Sequence, residues 1–128
     1  MAQAEAVIGA ANYAVEVTCG RHVLTTDEPA SAGGQDAGPT PSELLAASLA
    51  ACTAITLRMY ADRKGWPLPS ARVGVRYQKR ADQLPLMERT LSLPGLSPEQ
   101  RQRCAEIAER TPVTLALKSG VEIRTALA

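Results

Sequence analysis

Residues 38–53 read Gly38-Pro39-Thr40-Pro41-Ser42-Glu43-Leu44-Leu45-Ala46-Ala47-Ser48-Leu49-Ala50-Ala51-Cys52-Thr53 and carry the start of a long helix. Thr40 can cap. Pro41 suits the first helical position, whose N–H would have no acceptor anyway, and Glu43 completes a T-x-x-E capping box. Beyond it Leu45, Leu49, Cys52, Ile55, Thr56 and Met59 recur at three- and four-residue spacing, and Arg58, Asp62 and Arg63 are the charged positions near the end. The spacing predicts a helix to Lys64, stopped by Gly65, with that face toward the core. Ala46, Ala47, Ser48, Ala50 and Ala51 are small enough to let another backbone approach, so a helix–helix contact and burial on more than one side are expected. The apolar run Leu44–Leu57 is interrupted by Ser48, Thr53 and Thr56. It falls short of the roughly 20 residues that span a bilayer, so it reads as a core helix and no membrane is expected.

Upstream, Asn12–Asp27 alternates apolar and polar residues on either side of Cys19-Gly20-Arg21, the pattern of a β-hairpin. Pro29–Pro41 is rich in Gly and Pro and reads as a surface loop. Its Gly33-Gly34 lacks the Gly-Lys-Ser/Thr of a phosphate loop. Downstream, Ala71–Gln78 and Glu88–Leu93 have strand patterns, are separated by a loop containing Pro85, and are expected to pair. Ser97-Pro98-Glu99-Gln100 is a second capped start, for a helix to about Arg110 that buries Cys104, Ile107 and Ala108. Pro112 interrupts it, Val113–Lys118 suit a further helical turn, and Gly120 releases a last strand over Val121–Thr125. The result is an α+β chain, a single domain over residues 1–128, with no repeat or linker.

Bulk composition narrows the function. Lys and Arg number 14 against 13 Asp and Glu, so no strong field draws in a polyanion. With no Phe, one Trp and three Tyr, little is available for stacking bases, and no nucleic-acid partner is expected. The N-terminus has no basic segment before its apolar residues and carries Glu5. Three irregularly spaced cysteines make neither a disulfide framework nor a CxxC site, and they suit a reducing compartment. A cytoplasmic location follows as the expectation. His22, the single histidine, has no clustered ligands around it, so neither a metal nor another cofactor is expected.

The quoted stretch 38–53 resembles the first cysteine motif of the OsmC/Ohr family. The likeness continues through Thr56-Leu57-Arg58-Met59-Tyr60-Ala61 and Arg63-Lys64-Gly65-Trp66-Pro67-Leu68, and His22–Pro29 also matches, so it covers most of the chain. The resemblance implies an OsmC-like fold in an intertwined homodimer, with thiol sites where the subunits meet. It also implies reduction of organic hydroperoxides by two cysteines, one on the central helix and one in a later Cys-Pro motif. The first is Cys52; at the second the chain reads Thr111-Pro112-Val113-Thr114, a degenerate site without a thiol. In the hydroperoxide-reducing branch a carboxylate holds an arginine beside the reactive cysteine. Here Ser42 aligns with it and Glu43 follows one residue later, wording that looks closer to the less characterised OsmC-like branch.

The candidate catalytic set is therefore Cys52, Arg21 and Glu43. Cys52 lies about three turns inside its helix, whereas the helix dipole acts within the first turn, so its own helix cannot activate it. Glu43 is nine residues earlier, on the opposite face at ~100° per residue and about 13 Å along the axis, and its capping role is sufficient explanation for it. Any activating cation must come from another element or subunit, with Arg21 in the hairpin turn preferred. The alternative is that Cys52 is a small apolar core residue. Cys104 is an auxiliary thiol only if the second site lies about 10 Å from Thr111; it and Cys19 otherwise read as structural. Trp66 is expected to pack the helix end.

Two functions fit. One is a one-cysteine, thiol-dependent peroxidase, peroxiredoxin-like in activity, that reduces organic hydroperoxides in oxidative-stress defence with an external thiol reductant. The other is a non-catalytic dimeric module that binds a small hydrophobic ligand. Both require the homodimer, because an alanine-rich helix with apolar residues around much of its circumference has more surface to bury than one small domain provides. Light scattering is expected to give twice the chain mass; a stable folded monomer at micromolar concentration would remove the case for a shared site.

Overall fold

The computed structural model describes all of residues 1–128, which divide into two compact units, Met1–Leu45 and Ala46–Ala128. In the first unit the alternation around Gly20 becomes an antiparallel pair, β2 (Val15–Cys19) and β3 (His22–Thr26), with Cys19 opposite His22 and Val15 opposite Thr26. A further strand, β1 (Ala4–Ile8), pairs antiparallel with β2 and was not expected from its residues. All five of its positions are exposed, so no buried face imprints the two-residue period on its sequence.

The loop after β3 is organised by one carboxylate. Asp27 is buried, 2% exposed, and its Oδ1 accepts from Glu28 N at 2.7 Å while Oδ2 accepts from Gln35 N at 3.2 Å and Ala37 N at 3.1 Å. Two backbone bonds, Asp36 N to Glu28 O and Asp27 N to Pro39 O, close the loop over it. The crossing is tight. A Cβ at Gly34 would lie 2.0 Å from Glu28 O, and one at Gly38 would lie 2.0 Å from Thr25 O, so both positions need the smallest residue. The loop also contains a 3-10 turn at Ala30–Ala32 and leads into α1 (Pro41–Lys64). That helix starts with the expected box: Thr40 N donates to Glu43 Oε1 at 2.9 Å and Glu43 N to Thr40 Oγ1 at 3.1 Å.

In the second unit α1 continues to Lys64 and ends at Gly65, whose φ is 69°. It is followed by β4 (Arg72–Gln78) and β5 (Leu86–Ser92), paired antiparallel from Arg72↔Ser92 to Gln78↔Leu86. Next come α2 (Pro98–Ala108) and α3 (Pro112–Ser119). Ser97 caps α2 with both bonds of its box, Ser97 N to Gln100 Oε1 at 2.9 Å and Gln100 N to Ser97 Oγ at 3.2 Å. The core joins Leu57 and Ala61 of α1 to Leu68, Leu93, Leu96 and Cys104, with Trp66, Leu91 and Ile107 packed against them. Each fully buried leucine contributes about 2 kcal/mol of transfer free energy. Trp66 packs the helix end as expected, its backbone N–H donating to Ala61 O and its ring edge-on to Tyr60 at 5.4 Å.

Two expectations are corrected. The core face of α1 is Leu49, Thr53, Leu57 and Ala61, an i, i+4 row, whereas Leu45, Ile55 and Met59 of the expected face are 39%, 55% and 61% exposed. Apolar residues surround α1, so the pattern alone does not select the side that meets β5 and α2. The expected last strand is also absent: Val121–Thr125 pairs with nothing in the chain, and Val121 and Ile123 are 69% and 85% exposed. At 24 residues, with an 18-residue window of mean hydropathy 1.5, α1 has the length and composition of a bilayer span. Its buried row nonetheless forms the core of the second unit.

The Asp27 cage makes stability acid-sensitive. Burial raises the carboxyl pKa, but the three N–H bonds, from Ala37, Glu28 and Gln35, outweigh it and hold it below the usual value of 3.8. The folded pKa is therefore lower than the unfolded one. Its contribution is complete above the unfolded pKa and is lost as pH falls through the lowered folded value. Asp27→Asn is expected to lower the unfolding midpoint at neutral pH and to flatten the fall in stability below about pH 4. Denaturant titrations at pH 7 and pH 3 check this, and an unchanged acid slope would remove the role given to Asp27.

Candidate functional site

The candidate thiols differ in environment. Cys52 is half-buried on α1 and free, next in sequence to the fully buried Thr53. Cys104 is also free, but it is fully buried in the core, and burial pushes its thiol pKa up from 9.0. That makes it a poor source of thiolate. Cys19 is half-buried at the end of β2. Arg21 lies exposed in the β2–β3 turn with no hydrogen bond or ion pair within the chain. Glu43 is exposed and its carboxylate Oε1 serves the cap of α1. No three His, Cys, Asp or Glu side chains come together as a metal-binding group.

Thr111 is fully buried and caps α3, its Oγ1 accepting from Thr114 N at 3.2 Å, with Pro112 in the first turn. The local signal was present: a threonine before a proline is a helix start in its own right. The cap belongs to a larger polar cluster that sequence reasoning missed. At its centre is Arg89 of β5, whose side chain is 12% exposed. Its Nη1 donates to Thr53 Oγ1 at 3.0 Å and to Thr114 Oγ1 at 2.9 Å, and its Nη2 donates to Glu109 Oε2 at 3.0 Å.

Every hydroxyl in the cluster is accounted for. Thr53 Oγ1 donates to Leu49 O at 2.7 Å and accepts from Arg89. Thr114 Oγ1 donates to Ala108 O at 3.0 Å, which leaves the 2.7 Å contact with Thr111 Oγ1 to be donated by Thr111. No buried side-chain nitrogen or oxygen in the chain lacks a partner. Glu109 is shared with Lys118, whose hydrogen bond, ahead of that from Arg89, holds the carboxyl below its usual range and so ionised at neutral pH. The sequence signal for Arg89 was its phase. Met87, Arg89 and Leu91 form an alternating half-buried row on β5, and a charge in that row must find acceptors inside.

Known proteins compare as follows. A family model described as OsmC-like protein matches residues 33–126. An OsmC-like protein of Mycoplasma pneumoniae superposes with a TM-score of 0.74 at 16% identity, covering 92% of this chain and 87% of that one. The organic hydroperoxide resistance protein OsmC of Legionella pneumophila gives 0.65 at 22% identity, with 92% and 89% covered. An organic hydroperoxide resistance protein of Elizabethkingia anophelis gives 0.70 at 21% identity, with 95% and 91% covered. At these identities the likeness establishes the fold, an OsmC-like α+β fold. No curated protein matches the chain.

The cluster sets a stability prediction. Thr114→Val keeps the shape but takes an acceptor from the buried Arg89 and a donor from Ala108 O, and is expected to cost about 1–3 kcal/mol. Urea unfolding measures it; a change below about 0.5 kcal/mol, the usual scale for surface substitutions, would show that the cluster is not coupled to folding.

Proposed function

The chain belongs to the OsmC-like protein family, and from that premise we propose that it is a one-cysteine, thiol-dependent peroxidase acting on organic hydroperoxides, with Cys52 as the reacting thiol. The observation that carries the reading is the contrast between two thiols: Cys52 is half-buried within the motif that resembles the family's first cysteine motif, and Cys104 is sealed in the core. The likeness in fold to two organic hydroperoxide resistance proteins supports the same class of chemistry.

The thiolate of Cys52 attacks the terminal oxygen of the hydroperoxide; the O–O bond breaks, an S–O bond forms, and the departing alkoxide takes a proton to leave as the alcohol. Cys52 is then a sulfenic acid. With threonine at 111, an external thiol displaces hydroxide from that sulfur to give a mixed disulfide and water. A second thiol releases the Cys52 thiolate and leaves the reductant as a disulfide. The proposal includes the homodimer, a cytoplasmic location, and an activating cation supplied by Arg21 or by a partner subunit.

A binding module for a small hydrophobic ligand is the second reading. It is favoured by the Thr111–Thr114–Arg89 cluster, whose threonine hydroxyls are all partnered with no sulfur involved. Peroxide consumption with a dithiol reductant separates the two. Cys52→Ser is expected to abolish turnover while the fold persists, and Cys104→Ser to leave it unchanged. Mass spectrometry is expected to find Cys52 oxidised first, to sulfenic and then, with excess peroxide, to sulfinic acid, with no Cys52–Cys104 disulfide. Equal slow consumption by wild type and Cys52→Ser, with no preference among the three cysteines, would overturn the peroxidase reading in favour of the binding module.

A further inference from the structure

A cleft of about 530 Å³ runs between β5 and α2 in the second unit, within the roughly 300–1,000 Å³ typical of small-ligand sites. Its walls include the apolar side chains of Leu91, Leu93 and Ala105. Its charged groups are Arg89, Arg101 and Glu109. Arg89 donates three hydrogen bonds through Nη1 and Nη2, and its Nε has no acceptor in the chain. Arg101 is exposed and gives a single bond, Nη1 to Leu96 O at 3.2 Å. Glu109 offsets Arg89 in part, because its carboxylate is shared between Arg89 and Lys118, and it leaves Arg101 without a carboxylate partner. The cleft thus carries two guanidinium groups and one carboxylate beside an apolar wall, and the carboxylate is shared with Lys118 outside the lining.

We propose that this cleft binds a small amphipathic carboxylate, its anionic head at Arg89 and Arg101 and its hydrocarbon body along Leu91, Leu93 and Ala105. A guanidinium suits such a head because pairs of its N–H bonds run parallel in one plane at the spacing of carboxylate oxygens. The Thr53 and Thr114 hydroxyls fix the Arg89 guanidinium before any ligand arrives, so little ordering remains to be done on binding. The site is independent of whether Cys52 is reactive.

Octanoate is the probe, followed by calorimetry on the whole chain at pH 7, with octanol as its uncharged counterpart. Saturable octanoate binding is expected, at least roughly tenfold tighter than octanol, the scale of one charge-assisted hydrogen bond. Arg101→Gln is expected to weaken octanoate by a similar factor and to leave octanol unaffected. Ala105→Trp, which fills the cleft, is expected to weaken both. Circular dichroism confirms that each variant folds; should the tryptophan variant fail, the comparison of octanoate with octanol in wild type and Arg101→Gln still decides. Absence of saturable octanoate binding, equal affinity for octanol, or unchanged affinity in Arg101→Gln would each overturn the proposal.

Discussion

A guanidinium on the inner face of β5 is the constraint around which the second unit is arranged. Arg89 cannot lose its proton, and at 12% exposure water cannot serve most of its N–H groups, so the protein must bring acceptors to it. They come from three directions: Thr53 from α1, Thr114 from α3, and Glu109 from the residue that ends α2. Removing one acceptor leaves an N–H of this charge unsatisfied, at a cost of about 1–3 kcal/mol. The cluster therefore specifies the placement of three helices against one strand, although an apolar residue of similar volume would serve bulk stability as well.

The hydroxyls do more than accept. Thr53 bonds back to the carbonyl of Leu49 in its own helix, so its side chain is held before Arg89 reaches it. Thr111 caps α3 and donates to Thr114, so the geometry of a helix start and the solvation of an arginine are coupled in one pair of side chains. Cys52, one residue before Thr53, sits on a backbone anchored by this arrangement. The proposed chemistry thus rests on a rigid stretch of helix, and any change in the reactivity of that sulfur has to come from what approaches it.

Much of this architecture was legible where a rule is local. Thr40 with Glu43, Ser97 with Gln100, and the turn at Gly20 satisfy backbone groups within a few residues, and each appears in the structure where its residues indicated. The OsmC-like fold was legible from the motif through Cys52. What failed depended on other parts of the chain. Leu57 and Ala61 won over Ile55 and Met59 because of where β5 and α2 pack, which α1 does not encode. β1 has no buried face to leave a pattern. Val121–Thr125 has the alternation of a strand and no strand beside it. In the candidate site, Cys52 was visible through its motif, whereas the role of Arg89 required knowing that residues 53, 109 and 114 converge on it.

The loop closed over Asp27 bears on how the chain could be altered. Ordinarily a surface connection is where a protein accepts tags, insertions and randomised sequence. This one is a poor choice, because Gly34 and Gly38 face carbonyl oxygens where any side chain would collide, and an added residue would pull Gln35 or Ala37 off the carboxylate. The β4–β5 connection around Ala81–Pro85 is exposed throughout, and its Arg80–Leu84 bond lies on the outside. A label, an affinity tag or a permuted terminus belongs there, where the rest of the molecule has nothing to give up.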